Sequence, residues 1–312
     1  MRFLLITLIV FQVMAFSALT EDATSRSIER ALPYLEEEGN WWIEKKKCTS
    51  CHHSTFLIWA KDLALEAGYE VDEVSLKKQR QFVRDFFLSP IPPDPKKPEE
   101  IPDPDAVRGD RNVEGVSQLL LSASAAFVPE ETKASLLDIV RSNQGQDGNW
   151  KPGGQLPMQD RPKEETQWVS NQWMLAALSA DENGPKAPTG PPGKAKANEW
   201  YAMNVVLKGS PESIQALLSR QNEDGGWSWI DGEKSSPTGT GQALFALARA
   251  NEVKKNSGRV ERARNYLLTS QTEEGYWETL STKDRAESTR VSNFWGTAWA
   301  VIGLLESEKI SQ

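Results

Sequence analysis

The heptapeptide Gln221-Asn222-Glu223-Asp224-Gly225-Gly226-Trp227 recurs along this chain, and the recurrence narrows the possible folds more than any bulk property does. A second copy is Gln144-Gly145-Gln146-Asp147-Gly148-Asn149-Trp150, and a third, with Glu in place of Asp, is Gln271-Thr272-Glu273-Glu274-Gly275-Tyr276-Trp277. Each copy follows an apolar helical stretch: Leu136 to Val140, Ile214 to Leu218, and Ala263 to Leu268. Each precedes a helix rich in small residues: Thr166 to Ala180, Thr238 to Ala250, and Asn293 to Leu305. The unit reads as a helix stop that turns the chain around. Asp-Gly or Glu-Gly supplies the positive φ of a tight turn. The Trp offers a large apolar face to the helix just left and an indole N–H that needs a partner. The Gln is placed to be that partner or to satisfy orphan helix carbonyls. Three such units between helices make a repeat architecture.

These Q-x-x-D-G-x-W units resemble the repeats of the terpenoid cyclase and protein prenyltransferase superfamily, which includes the squalene–hopene cyclases. The resemblance implies an all-α fold, an α/α toroid of about five to six helical hairpins in inner and outer layers.

Met1-Arg2 followed by the apolar run Phe3 to Phe16 reads as a secretory signal, residues 1–17, cut near Ala15-Phe16-Ser17. The run is short for a bilayer span, so no stable membrane span is expected after cleavage. The product is expected to be exported, periplasmic or extracellular. Residues 18–312 are then one toroid domain with a sizeable core. A net charge of -8 excludes nucleic acid and anionic membrane surfaces as natural partners.

The first outer helix is expected over Ser27 to Glu38, closed by Gly39-Asn40, with Trp41 and Trp42 in place of the later Trp. Asp72 to Leu88 reads as the second outer helix, and Pro129-Glu130-Glu131 opens the third with Pro and acids in its first turn. Pro-rich loops lie near 89–105 and 181–198. Trp200 to Leu207 reads as a short helix before the fourth outer helix, which starts at Ser210-Pro211-Glu212. Inner helices are expected near 50–66, 112–127, 166–180, 238–250 and 292–306. A sixth pair would have to come from the irregular pieces.

The chemistry-bearing stretch is Cys48-Thr49-Ser50-Cys51-His52-His53. C-x-x-C-H is the attachment signature of c-type haem. On a helix, Cys48, Cys51 and His52 fall at i, i+3 and i+4, on one face. Two thioether bonds can then hold the porphyrin vinyl groups while His52 reaches the iron. The chain has only two Cys and two His, and all four cluster here. Rival readings are a Cys48–Cys51 disulfide or two unmodified thiols. Zinc would need further ligands, because His52 and His53 would point to different sides of a helix. Met158, in the turn before an inner helix, is the candidate for a sixth iron ligand, with loop packing as its ordinary role. Met174 and Met203 read as core. By the repeat alignment the motif opens the first inner helix, near one mouth of the ring, with Trp59 two turns further along.

Squalene–hopene-type cyclases protonate their substrate from a D-x-D-D cluster, which this chain lacks: Asp103-Pro104-Asp105 sits in a Pro-rich connector and Asp110 stands alone. No G-x-S-x-G, H-E-x-x-H or phosphate-loop pattern occurs either. Glu164, Glu165 and Asp62 could line the cavity or simply be solvated helix ends. The leading expectation is an exported protein carrying one covalent haem c, acting in electron transfer or ligand chemistry with a redox partner protein or small ligand. The alternatives are an apolar small-molecule or isoprenoid-binding toroid with structural cysteines, and an interaction scaffold.

Overall fold

The structure is a computed structural model that describes residues 2–50, 52–97, 99–153, 156–179, 190 and 195–309, with backbone alone for 2–22. Among the described residues, eleven α-helices run α1 Arg2–Lys46, α2 Ser54–Glu66, α3 Glu73–Leu88, α4 Val113–Leu121, α5 Glu130–Ser142, α6 Lys163–Ala177, α7 Asn198–Lys208, α8 Pro211–Leu218, α9 Pro237–Arg249, α10 Ser257–Ser270 and α11 Arg290–Lys309. Two-residue strands β1 (Trp227–Ser228) and β2 (Ser235–Ser236) pair antiparallel inside one turn. No helix among the described residues is long and apolar enough to cross a membrane.

Packing sorts the helices into two layers. α2, α4, α6, α7, α9 and α11 touch in that order, and α11 returns to α2, so the inner layer of described helices is a closed ring of six. α1, α3, α5, α8 and α10 lie outside it. α7 is therefore the sixth inner helix and not a lead-in to α8. Its Trp200, Tyr201, Ala202, Met203 and Val205 are buried. Among the described residues no outer helix stands between α6 and α7. The expected loop at 181–198 falls in that stretch of the sequence, and most of it lies outside the described residues.

The three repeats behave as one device. Trp150, Trp227 and Trp277 donate their indole N–H to Val140, Leu217 and Leu267 O, ten residues earlier, at 2.6, 2.8 and 2.8 Å. Each Trp backbone N–H is capped by a side chain of the following inner helix, Asn171, Thr240 or Thr297. Gly148, Gly225 and Gly275 take φ of 79°, 91° and 89°. The Gln does not serve the indole. Gln144, Gln221 and Gln271 instead close the turn on the Gly carbonyl at 2.8, 2.7 and 2.8 Å. The last two also reach the next outer helix: Gln221 donates to Arg259 O of α10, and Gln271 to Ser27 O of α1. The third repeat thus clasps the first helix and shuts the outer layer.

Three expectations need correction. α1 does not stop at Gly39-Asn40. Gly39 stays helical, because a Cβ there would sit 2.5 Å from Leu57 Cδ2 and α2 packs against the gap. Lys47, at φ 48°, makes the turn instead. The stretch 112–127 is α4 followed by a 3-10 turn, Ala123–Phe127, because Ser122 takes an extended backbone between them. The ring centre is filled: Trp59 is fully buried among Phe56, Phe245 and Trp299, so it plugs the barrel and lines no cavity.

Candidate functional site

A cavity of about 830 Å³ opens at the mouth of the ring that carries the first turns of α2, α4 and α11. That size suits a drug-sized or cofactor-sized ligand. Its walls are mostly apolar: Trp42 of α1, Phe86 of α3, Leu156, Val291 and Trp295. The Pro-rich connector contributes Ile91 and Pro92, so it is part of the site and not only a spacer. Its ends are tied by Arg108 N–H donating to Ser89 O at 2.9 Å. The loop 281–284 forms another wall, joined to the turn before α6 by Asp160 N–H on Thr282 O at 2.6 Å.

Cys48 and His52 both line this cavity. Cys51 lies outside the described residues. The motif is not on a helix, in contrast to the expectation. Residues 48–50 are irregular, 52–53 turn, and α2 starts at Ser54. The reason is that side chains claim the motif's carbonyls. Trp42 Nε1 and Ser54 Oγ donate to Cys48 O at 2.9 and 3.3 Å, and Asn112 Nδ2 donates to Thr49 O at 3.1 Å. Asn112 also caps α4 by accepting from Gly115 N–H, which fixes the motif to the next inner helix.

The two histidines do not diverge either. His52 Nδ1 and His53 Nδ1 lie 2.7 Å apart, and Ser50 Oγ is 3.3 Å from the same His52 nitrogen. His53 is clamped between the Trp42 and Phe294 rings, with centroids 4.0 and 4.3 Å away. Burial, assisted by the positive Lys283, lowers the His52 pKa to about 4, so the ring is neutral near pH 7. If Nδ1 donates to His53, Nε2 keeps its lone pair for a Lewis acid. A second group fixing the tautomer in this way is the usual arrangement behind a ligating histidine. Burial raises the Cys48 thiol pKa, and the nearby Arg108 guanidinium opposes the shift.

Met158 is 58% exposed and is not part of the cavity wall: the 3-10 turn Leu156–Met158 buries Leu156 and presents Met158 outward. Met174 and Met203 are core, as expected. Asp62 and Glu165 are buried but serve the framework. Asp62 accepts from Arg80 Nε at 2.9 Å, and Glu165 accepts from the Lys196 and Ala197 N–H groups at 2.8 Å each. Among the described residues no three His, Cys, Asp or Glu side chains gather as zinc requires.

Two features of the site were not anticipated. The first is a set of buried polar atoms without partners on residues of the cavity wall. Arg108 Nε, Thr49 Oγ1 and Trp295 Nε1 are buried and hydrogen-bond to nothing among the described residues, and all three residues line the cavity. Arg108 is held by its 3-10 turn, where Asp110 accepts from Val107 N–H at 2.8 Å, and by the Phe86 ring 4.7 Å away. Lys47, Arg111 and Lys283 add positive charge to the same walls. The second is Glu114 in the first turn of α4, 3% exposed and on the cavity wall. Burial and the neighbouring Glu199 push its pKa up to about 8.

No protein-family model matches the chain. Among solved structures, the fold is similar to that of a single-residue variant of the type II terpene cyclase MstE from Scytonema, in complex with geranylgeranyl dihydroxybenzoate as substrate. The TM-score is 0.56 at 12% sequence identity, over 94% of this chain and 99% of that one. At that identity the likeness establishes the fold: this chain is a terpenoid-cyclase-like α/α toroid.

Proposed function

We propose that this toroid carries one covalently attached haem c at the mouth of its ring, with Cys48 and Cys51 as thioether donors and His52 as axial ligand. The observation that carries the reading is that Cys48 and His52 of a C-x-x-C-H motif open on an 830 Å³, largely apolar cavity with a cationic rim. The cations of the lining fit such a group. Arg108, Arg111 and Lys47 suit carboxylates such as porphyrin propionates. The first turns of three helices favour negative charge at the same place. Attachment would add each thiol across one vinyl group, the sulfur to the inner carbon and the S–H proton to the outer one. A haem held there would supply a one-electron couple and, with an open sixth position, a site for a small ligand. The secretory signal expected over residues 1–17 would accord with this reading, because thioether attachment takes place outside the cytoplasm.

The fold comparison favours a second reading, in which the cavity binds an apolar or isoprenoid small molecule and the cysteines are structural. The similar structure is that of a terpene cyclase holding a geranylgeranyl substrate. Alkene protonation is not part of this reading. The chain has no D-x-D-D, and a carboxylic acid with a pKa near 8 is too weak an acid for that step. Expression with and without a haem-attachment system separates the two. On the haem reading, the purified protein shows a Soret band that survives acid-acetone extraction. That band disappears from the Cys48→Ser/Cys51→Ser double variant, and Arg108→Gln weakens its retention. A colourless protein that co-purifies with lipid from both hosts would overturn the haem reading and support the second.

A further inference from the structure

Glu114 is the buried acid on the cavity wall, and the proposed haem site leaves it without a role. It cannot discharge its burial through an ion pair. Ser170 Oγ donates to Oε2 at 3.1 Å and Gln118 Nε2 approaches Oε1 at 3.4 Å, both neutral donors. The Arg161 guanidinium, which opposes the rise in the Glu114 pKa, makes its ion pair with another acid: its Nη1 donates to Glu199 Oε2 at 2.9 Å, while Trp173 Nε1 holds Glu199 Oε1 at 2.9 Å. Behind the wall there is thus a buried ion pair, with Arg161 Nη2 left without a hydrogen-bond partner among the described residues, whose carboxylate repels a second negative charge.

The elements packed on α4 supply the remaining charges. α6 brings Glu165, spent on two backbone N–H groups, and the turn before α4 brings Arg108, Arg111 and Asp110, the last bonded to Asn143. The turn before α2 brings His52 and His53, and α2 itself brings Lys61 and Asp62, which pair with Glu36 and Arg80. On α5, Asp138 and Arg141 pair with each other at the surface. The 3-10 turn after α4 adds no charge. None of these gives Glu114 a direct ionic partner among the described residues.

We propose that Glu114 is a proton site coupled to the electron count of the cavity: an electron gained there from a one-electron donor is matched by a proton taken from water onto a Glu114 carboxylate oxygen, and both leave together. The inference rests on the haem reading. Its physical basis is charge balance in a poorly solvated space. A carboxyl group buried on the wall of the cavity has a proton affinity that a change of one charge there raises, and it takes up the proton at pH values where it would otherwise be ionised. Its pKa, raised from the ordinary 4.5 to about 8 by burial and Glu199, puts the exchange near pH 8 and not at lower pH, where the acid already holds its proton.

The test is a spectroelectrochemical titration of the haem-loaded protein between pH 6 and 10, run beside an isotope-edited infrared titration of the haem-free protein. The wild-type midpoint potential is expected to fall with rising pH in a window around pH 8. The limiting slope is a tenfold change in the equilibrium per pH unit, about 59 mV for one electron. Glu114→Gln flattens this window and leaves the Soret band in place. Ser170→Ala, which removes a hydrogen bond that favours the ionised acid, moves the window to higher pH. A flat wild-type profile, or a Glu114→Gln profile that keeps the wild-type slope, overturns the proposal. In the haem-free protein a carboxylic acid band lost in Glu114→Gln should titrate near pH 8, and its absence overturns the proposal independently of haem. If the band is present but no haem loads, the haem reading has failed and the electron coupling falls with it.

Discussion

Replacing Gly275 with Ala tests how the ring is shut. Gly275 has φ +89°, and a Cβ there would overlap the carbonyl of Arg30 on α1. Gly68 supplies the control, with nearly the same φ, +86°, and nothing within 4 Å of the place a Cβ would take. Left-handed backbone strain is common to both and costs about 1–2 kcal/mol for Ala. The lost flexibility of the unfolded chain, which works in the opposite direction, is also common to both and cancels in the comparison. Only Gly275→Ala must in addition push the third repeat off α1, an overpacking cost of about 1–3 kcal/mol. Gly275→Ala should therefore lose about 1–3 kcal/mol more than Gly68→Ala. In a chain of this size each kcal/mol lowers Tm by roughly 2–4 °C. Urea unfolding of both variants beside the wild type measures the difference. Equal losses would mean that the third repeat does not seat on the first helix, and the closed outer layer would be wrong.

Two further outcomes follow from the same geometry. Trp150→Phe removes the indole bond to Val140 O and leaves a buried carbonyl unpaired, a loss of about 1–3 kcal/mol in urea unfolding; a change within error would show that the indole is not the helix's partner. Glu114 makes stability depend on pH with a defined sign. Its folded pKa, about 8, lies above the ordinary 4.5, so the folded state holds the proton more tightly. The stability it contributes is full below about pH 4.5 and is lost as pH rises through about 8. Unfolding at pH 5, 7 and 9 should therefore show the wild type losing stability relative to Glu114→Gln, and parallel profiles would contradict the assignment.

What the residues revealed in advance was what they do locally. Each Gln-to-Trp unit closes its own turn and reaches back ten residues, so three turns and a helical repeat could be read directly, while the toroid came from the resemblance of those units to a known superfamily. α7 was harder to place, because Asn198–Lys208 follows no such unit and no outer helix is described between α6 and α7. Its membership of the inner ring comes from packing against α6 and α9. The C-x-x-C-H motif misled for a similar reason. Its spacing fits a helix, but Trp42, Ser54 and Asn112 take its carbonyls, and Asn112 is far away in sequence. Glu114 was invisible because its proton affinity comes first from burial and then from Glu199 on another helix, both of which arise from tertiary packing. Cys48 and His52 were legible as a pair, and the structure places both on one cavity.

The central claim is that the sulfurs of Cys48 and Cys51 hold a porphyrin beside His52. Peptide mapping of protein produced with a haem-attachment system measures it most directly. The expected result is a single peptide containing Cys48-Thr49-Ser50-Cys51-His52 that carries the mass of one haem and absorbs as a bis-thioether haem in alkaline pyridine. Recovery of that peptide with two free thiols, or with Cys48 and Cys51 joined to each other, would contradict it.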